Sequence, residues 1–226
     1  MAALPFDGLL LDVGAVVVRT PFEMHRVAEV RYGLAPGSLG WMGPYDPSSD
    51  PLWRSMQAGR LSELDYWHQR AEETERRAGR HGGLQDYMQM CFGGPQSEFV
   101  RPEAEALVAD ARAAGMRIGV LTNETELMQG RAWIDRVDVF RSVDALVDAS
   151  VTGIMKPDPA AYALALDELG LPADRVLFVD DQPKNVAGAE AVGITAVCFD
   201  PTDVPASFRA VRRRLGLNPA EVGTSR

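Results

Sequence analysis

A doubly wound parallel α/β sheet of five strands, interrupted by a helical insertion, is the fold this sequence predicts, and three observations predict it. From residue 102 onward amphipathic helices alternate with short apolar strands, the pattern left by crossover connections between parallel strands. The run G-L-L-L-D-V-G-A-V-V-V-R-T, Gly8 to Thr20, is apolar around a single carboxylate, as in a strand buried on both faces. Between about residues 20 and 101 no strand-like alternation occurs. The core is therefore assigned to residues 1–19 and 100–226, and a helical insertion to 20–99.

The elements follow in order. Residues 21–31 have helical spacing, and 32–51, dense in Gly, Pro, Ser and Asp, read as loop. An Arg- and Glu-rich helix is expected over 62–77, opened by Ser62 with Asp65 as a loose capping box and stopped by Gly79 to Gly83. A third helix, 84–92, is rich in Met and aromatics and ends at Gly93, Gly94 and Pro95. In the core, helices are expected over 102–114, 124–134, 159–169, 183–192 and 206–215. Strands are expected over 117–121, 145–147, 176–179 and 195–199, and 216–226 reads as a frayed tail.

Composition narrows the function classes. With 226 residues, 46% hydrophobic and 24% charged, the chain is long enough for one large domain and its insertion. A net charge of −9 draws neither a phosphate backbone nor an anionic bilayer, so no nucleic-acid or membrane partner is expected, and an anionic substrate needs local cations. Only two Lys, Lys156 and Lys184, stand among 23 basic residues, which singles each of them out. Cys91 and Cys198 form neither a disulfide framework nor a metal-ligand spacing, which suits a reducing cytoplasm. The first apolar run has no basic residue ahead of it and is broken by Asp12, so it reads as structure and not as a secretory or spanning segment. Nothing in the sequence sets an oligomeric state.

Four strand ends, or the loops after them, carry polar groups. They are Asp12; Thr122 and Asn123 in V-L-T-N-E-T; Lys156 in G-I-M-K-P-D-P; and Asp180 with Asp181 in L-F-V-D-D-Q-P-K-N. Each has an ordinary structural use as a turn residue or a helix cap. In a parallel sheet, however, all of them open on one crevice, where acid, hydroxyl, cation and paired acids make a chemical set. Carboxylates converging there repel unless a cation lies among them, and all-oxygen ligation suits Mg²⁺. Lys156 offers a point charge for an anionic transition state, and Thr122 with the N–H groups of a helix start offers a phosphate cradle.

This order resembles the haloacid dehalogenase superfamily, whose core is a doubly wound sheet and whose members are mostly magnesium-dependent phosphatases. G-I-M-K-P-D-P-A-A-Y and F-V-D-D-Q-P-K-N-V-A-G-A carry the resemblance, and G-R-L-S-E-L-D-Y-W resembles a segment of that family's helical cap. The resemblance implies a small phosphorylated metabolite, such as a sugar phosphate, as substrate. It makes Asp12 the nucleophile of an aspartyl-phosphate intermediate, gives Thr122 and Asn123 the phosphoryl group to hold, and gives Lys156 its charge to neutralise. The metal would be held by Asp12, Asp181, Asp180 and the backbone carbonyl of Gly14.

Gly14 is a departure, because phosphatases of the family usually carry a second Asp there as acid and base. Without it, aryl, acyl or anomeric sugar phosphates are expected to turn over better than alkyl phosphates, unless His25 or an ordered water replaces the acid. Arg19, His25 and Arg26 follow the first strand closely enough to face the crevice, or else lie exposed on a helix. Trp41, Tyr45 and Trp53 make either a substrate wall or aromatic packing, and His68 and His81 read as surface residues. Two other classes stay open: a metal-independent 2-haloacid dehalogenase, which needs no paired acids opposite Asp12, and a phospho-ligand-binding protein that has lost turnover with Gly14. A phosphonatase needs a cap Lys, and none lies between Thr20 and Arg101.

Overall fold

The computed structural model describes residues 4–217. Its sheet is built from β1 (Gly8–Leu11), β2 (Arg117–Thr122), β3 (Ala145–Asp148), β4 (Val176–Asp180) and β5 (Thr195–Cys198), in the order β3-β2-β1-β4-β5. Every pairing is parallel. β1 is central, with Leu11 paired to Val120 on one side and Val179 on the other. Leu9 and Leu11 enter the apolar cluster on one face and Leu10 the cluster on the other, so a continuous run of Leu is what this position demands. The chain winds outward from β1 through β2 to β3, then returns to place β4 on β1's other side. That reversal opens a crevice at the carboxyl ends of β1 and β4.

Between β1 and the core helices, the chain forms α1 (His25–Tyr32), α2 (Pro51–Gln57), α3 (Glu63–Arg77) and α4 (Leu84–Phe92). The core adds α5 (Pro102–Ala113), α6 (Thr125–Gln129), α7 (Arg131–Arg136), α8 (Asp138–Arg141), α9 (Ala149–Thr152), α10 (Pro159–Leu169), α11 (Pro183–Ala191) and α12 (Val204–Leu215). The Ser62 hydroxyl accepts the Asp65 N–H at 3.0 Å and opens α3 as expected. Insertion and core share one apolar cluster with the face of the sheet that holds Leu9 and Leu11. Polar contacts fasten them at α6 and α7: Gln85 donates to the Leu127 carbonyl (3.0 Å), and the Trp133 indole donates to that of Phe92 (3.1 Å).

Local chemistry accounts for the differences from expectation. α1 begins only at His25, because Glu23 accepts from the Thr20 backbone and hydroxyl and holds residues 21–24 in turns. α2 rises from the end of the expected loop: Asp50 accepts the Trp53 N–H at 2.9 Å and Pro51 takes the first helical position, a start signal passed over in a Pro-rich stretch. The helix expected over 124–134 is two helices, broken at Gly130, whose φ of 83° leaves helical space. The tail expected beyond 217 lies outside the described residues. No helix among those described is long and apolar enough to cross a membrane.

Candidate active site

Asp12 stands at the end of β1, its N–H donated to the Val179 carbonyl at 2.9 Å, so it extends the central strand by one residue. The next five residues, Val13–Val17, make a tight turn that leaves helical geometry at Gly14 and Ala15, the latter at φ 61° and ψ −31°. Such a backbone costs a non-glycine residue about 1 to 3 kcal/mol. Arg101 holds it in place: the buried guanidinium donates to the Ala15 carbonyl (2.7 Å) and bridges to both oxygens of Glu23 (3.0 and 2.7 Å).

Lys156, 3% exposed, uses all three of its donors. It reaches Asp12 Oδ1 at 2.6 Å, the Leu121 carbonyl at 2.8 Å and Asp180 Oδ2 at 2.7 Å. Burial pushes the Asp12 carboxyl up to about 7 against the pull of Lys156, and the charge of Asp180 adds to the rise. Asp181 faces the same cavity, and burial followed by the charges of Asp180 and Asp12 holds it far above the ordinary carboxylate range. One ammonium thus pairs with two carboxylates, Asp12 and Asp180, and Asp181 faces the cavity beside Asp12 without a contact to that ammonium.

The structure redistributes the expected roles of their neighbours. Asp180 is fully buried and outside the cavity wall; its oxygens accept from Gln182 N–H, Lys156 Nζ and, at 3.1 Å each, Asn185 Nδ2. In this arrangement Asp180 anchors Lys156 from beneath the cavity. Asn123 lines the cavity and ties to the Lys156 backbone, accepting the N–H at 2.8 Å and donating to the carbonyl at 3.2 Å, which uses one of its two amide N–H donors. Thr122 lines the cavity with its hydroxyl 2.7 Å from that of Thr125.

Arg19 reaches the cavity wall and is held only loosely, 3.9 Å from Glu23. His25 does not reach it. The ring is 6% exposed, packed 4.3 Å from Trp41 and 5.8 Å from Phe22, with neither nitrogen hydrogen bonded. The helical spacing that offered His25 to the crevice turns it into the aromatic interior of the insertion, while Arg26 is exposed beside Glu29. Trp53 lines the cavity, whereas Trp41 and Tyr45 pack around Phe22, and His68 and His81 are exposed. The cavity itself holds about 130 Å³, room for on the order of ten waters, and is walled on the insertion side by Phe22, Trp53, Trp67, Met88 and Phe92.

The sequence model described as haloacid dehalogenase-like hydrolase matches residues 7–193. The chain belongs to this hydrolase family. A phosphoglycolate phosphatase from Rhodospirillum rubrum is 38% identical over 98 residues, 43% of this chain and 40% of that enzyme. (S)-2-haloacid dehalogenase 1 from a Pseudomonas species is 24% identical over 221 residues, 96% of this chain and 92% of that enzyme. The matched stretch covers about half the length, or less, of the curated phosphatases. Among solved structures, the magnesium-bound HAD-hydrolase YfnB from Bacillus subtilis superposes with a TM-score of 0.69 at 14% identity, over 94% of this chain and 99% of that one. At such identity the likeness speaks for the fold.

Sequence reasoning missed four residues of this haloacid dehalogenase-like crevice. Asn185 orients Asp180 from the first turn of α11, and Arg101 clamps the loop after Asp12 from the start of α5. Glu63 and Glu124 line the cavity half-buried, and burial raises both carboxyls, Glu124 to about 7. Asn185 lies within the quoted F-V-D-D-Q-P-K-N motif and was within reach; the other three carry no local signal of what they face.

Proposed function

We propose that this protein is a magnesium-dependent phosphatase that works through an aspartyl phosphate on Asp12 and acts on a small phosphorylated metabolite of the cytoplasm. The observation that carries the reading is the negative excess at the cavity, Asp12 and Asp181 facing one space with a single ammonium already shared. Among the described residues no three His, Cys, Asp or Glu side chains make a ready-built metal cluster. Mg²⁺ does not need one, since it keeps several waters and is commonly held by one or two carboxylates. The fitting donors are Asp12, Asp181 and the Gly14 carbonyl. When bound, the ion offsets the repulsion between the Asp12 carboxylate and an anionic phosphate.

The chain's own residues do the rest. Lys156 fixes Asp12 Oδ1 and leaves Oδ2 as the oxygen nearer Gly14. Attack by Asp12 on phosphorus transfers the phosphoryl group to the carboxylate, Thr122 and the N–H groups beyond it hold the phosphoryl oxygens, and water then cleaves the acyl phosphate. A metal-independent dehalogenase has no use for an acid at Asp181. The test is phosphate release from a panel of phosphometabolites with Mg²⁺, with chelator and with Mg²⁺ restored. Activity lost on chelation and regained with Mg²⁺ is expected. Halide release from a 2-haloacid that ignores the chelator overturns the reading in favour of a dehalogenase, and phosphate binding without release makes this a binding protein.

A further inference from the structure

Gly14 leaves the nucleophile loop without an acid, and His25 is walled off from the crevice, so the expected sources of a proton are both gone. In-line displacement puts the leaving oxygen opposite Asp12, away from the sheet and against the insertion. Among the described residues the insertion's share of the cavity wall is Pro, Phe, Trp and Met apart from Thr20, whose hydroxyl bonds Glu23 and Tyr45, and Glu63, its one titratable side chain. It occupies the first position of α3, directly after the Ser62 cap, and Trp67 lies one helical turn on along the same side.

We propose that Glu63 is the general acid and base of this site, protonating the leaving oxygen and then activating the hydrolytic water. This rests on the phosphatase reading above. In the first half-reaction the Asp12–phosphorus bond forms and the phosphorus–leaving-oxygen bond breaks, while the Glu63 carboxyl passes its proton to that oxygen. In the second, Glu63 takes a proton from water as the water oxygen bonds to phosphorus. The phosphorus–Asp12 bond breaks, returning Asp12 as carboxylate, Glu63 as acid, and inorganic phosphate.

Its surroundings suit a carboxyl that cycles between both forms. Burial raises it, and Asp180 and the neighbouring Glu124, ahead of α6, add negative charge. Lys184 on α11, Lys156 and the Trp67 indole favour the ionised state. Glu63 lines the same cavity as Asp12 and Asp181, and its charge raises both of them. Glu124 is the competing carboxyl. It sits next to Thr122 and Asn123 in the strand-to-helix turn that cradles the phosphoryl oxygens, on the core side and beside the in-line axis, with Asp148 and Asp65 among its charged neighbours.

The test compares kcat/KM for 4-nitrophenyl phosphate and a simple alkyl phosphate, over pH, in wild type, Glu63→Gln, Glu63→Gln with Gly14→Asp, and Glu124→Gln. A Cβ at Gly14 meets nothing nearer than Asp12 Oδ2 at 3.8 Å and the local φ is −63°, so an Asp there is accommodated. Glu63→Gln is expected to lower alkyl turnover by about 10² to 10⁴ and aryl turnover far less, and to remove one limb of the alkyl pH profile. Gly14→Asp is expected to restore alkyl turnover to that variant. Equal losses on both substrates in a variant of unchanged melting temperature, or no loss, overturn the assignment, as does the same signature in Glu124→Gln. Wild type that releases phosphate from neither ester removes the phosphatase reading itself, and the inference with it.

Discussion

Two buried ion clusters sit a short distance apart in this molecule, one in the crevice and one in the insertion. Around Lys156, two carboxylates, Asp12 and Asp180, share one cation, and a third, Asp181, faces the cavity that Asp12 also lines. Around Arg70, the fully buried Asp50 accepts from the guanidinium, from the Tyr66 hydroxyl at 2.6 Å and from the Trp53 N–H at 2.9 Å. There the guanidinium lies over the rings of Trp41 and Tyr66, and its second arm pairs with Glu73 at 2.7 Å. Glu73 also pairs with Arg77 at 2.7 Å, so two cations meet two carboxylates in the insertion, whereas in the crevice carboxylates outnumber the cation they contact. The contrast teaches that burial of charge does not mark a reactive site; a surplus of one sign facing an open volume does.

The sharpest way to break the comparison is to remove one carboxylate from each cluster. Asp12→Asn is expected to abolish turnover, by at least about 10⁴-fold, the scale on which loss of a nucleophile acts in other covalent enzymes. Because Asp12 is held in a site that disfavours its charge, the melting temperature should stay level or rise. Steady-state kinetics alongside thermal melts decide it, and activity within a few-fold of wild type would remove the covalent mechanism. Asp50→Asn should do the reverse. It removes the fully buried partner of Arg70 and leaves only Glu73 to meet that charge, which costs about 3 kcal/mol and lowers the melting point by roughly 10 °C, while kcat of the folded enzyme changes only a few-fold. An unchanged melting curve would mean that the insertion cluster is not what holds α2 against α3.

A smaller and pH-dependent effect belongs to His25. Burial depresses its imidazole to about 4, so the folded state keeps the neutral ring while the unfolded chain, near 6.5, protonates first. Protonation of the unfolded chain pulls the equilibrium away from the fold. Stability tied to His25 is therefore whole above about pH 6.5 and lost as pH falls toward 4, by about 3 kcal/mol in all. His25→Phe, which keeps a ring between Phe22 and Trp41, should flatten that part of the acid slope in urea titrations at pH 7 and pH 4.5. A slope identical to wild type would show that the ring is not buried as described.

How much was legible in the sequence differs between fold and site for a physical reason. The alternation of helix and apolar strand after residue 102 survives any detail of packing, because a parallel strand buried on both faces must be apolar throughout. Asp12, Thr122, Lys156, Asp180 and Asp181 were legible by the same logic, since strand ends of one parallel sheet share one crevice wherever the helices settle. What was not legible is that Asn123 and Asp180 hold Lys156, because those hydrogen-bond partners lie 24 to 33 residues away.

The sequence by itself determined the order of polar groups around Asp12: a carboxylate ending the central strand, a hydroxyl, a lysine and paired acids, with Gly14 two residues beyond the first acid. Those are properties of strand ends, and local pattern encodes them. Only the tertiary structure decided which face of the insertion meets the crevice, turning His25 into an aromatic interior and bringing Glu63 to the cavity. Helical periodicity states which residues share a side and not what that side faces; that is settled by packing between segments dozens of residues apart, where burial of Phe22, Trp41 and Trp67 outweighs any preference of a single polar side chain.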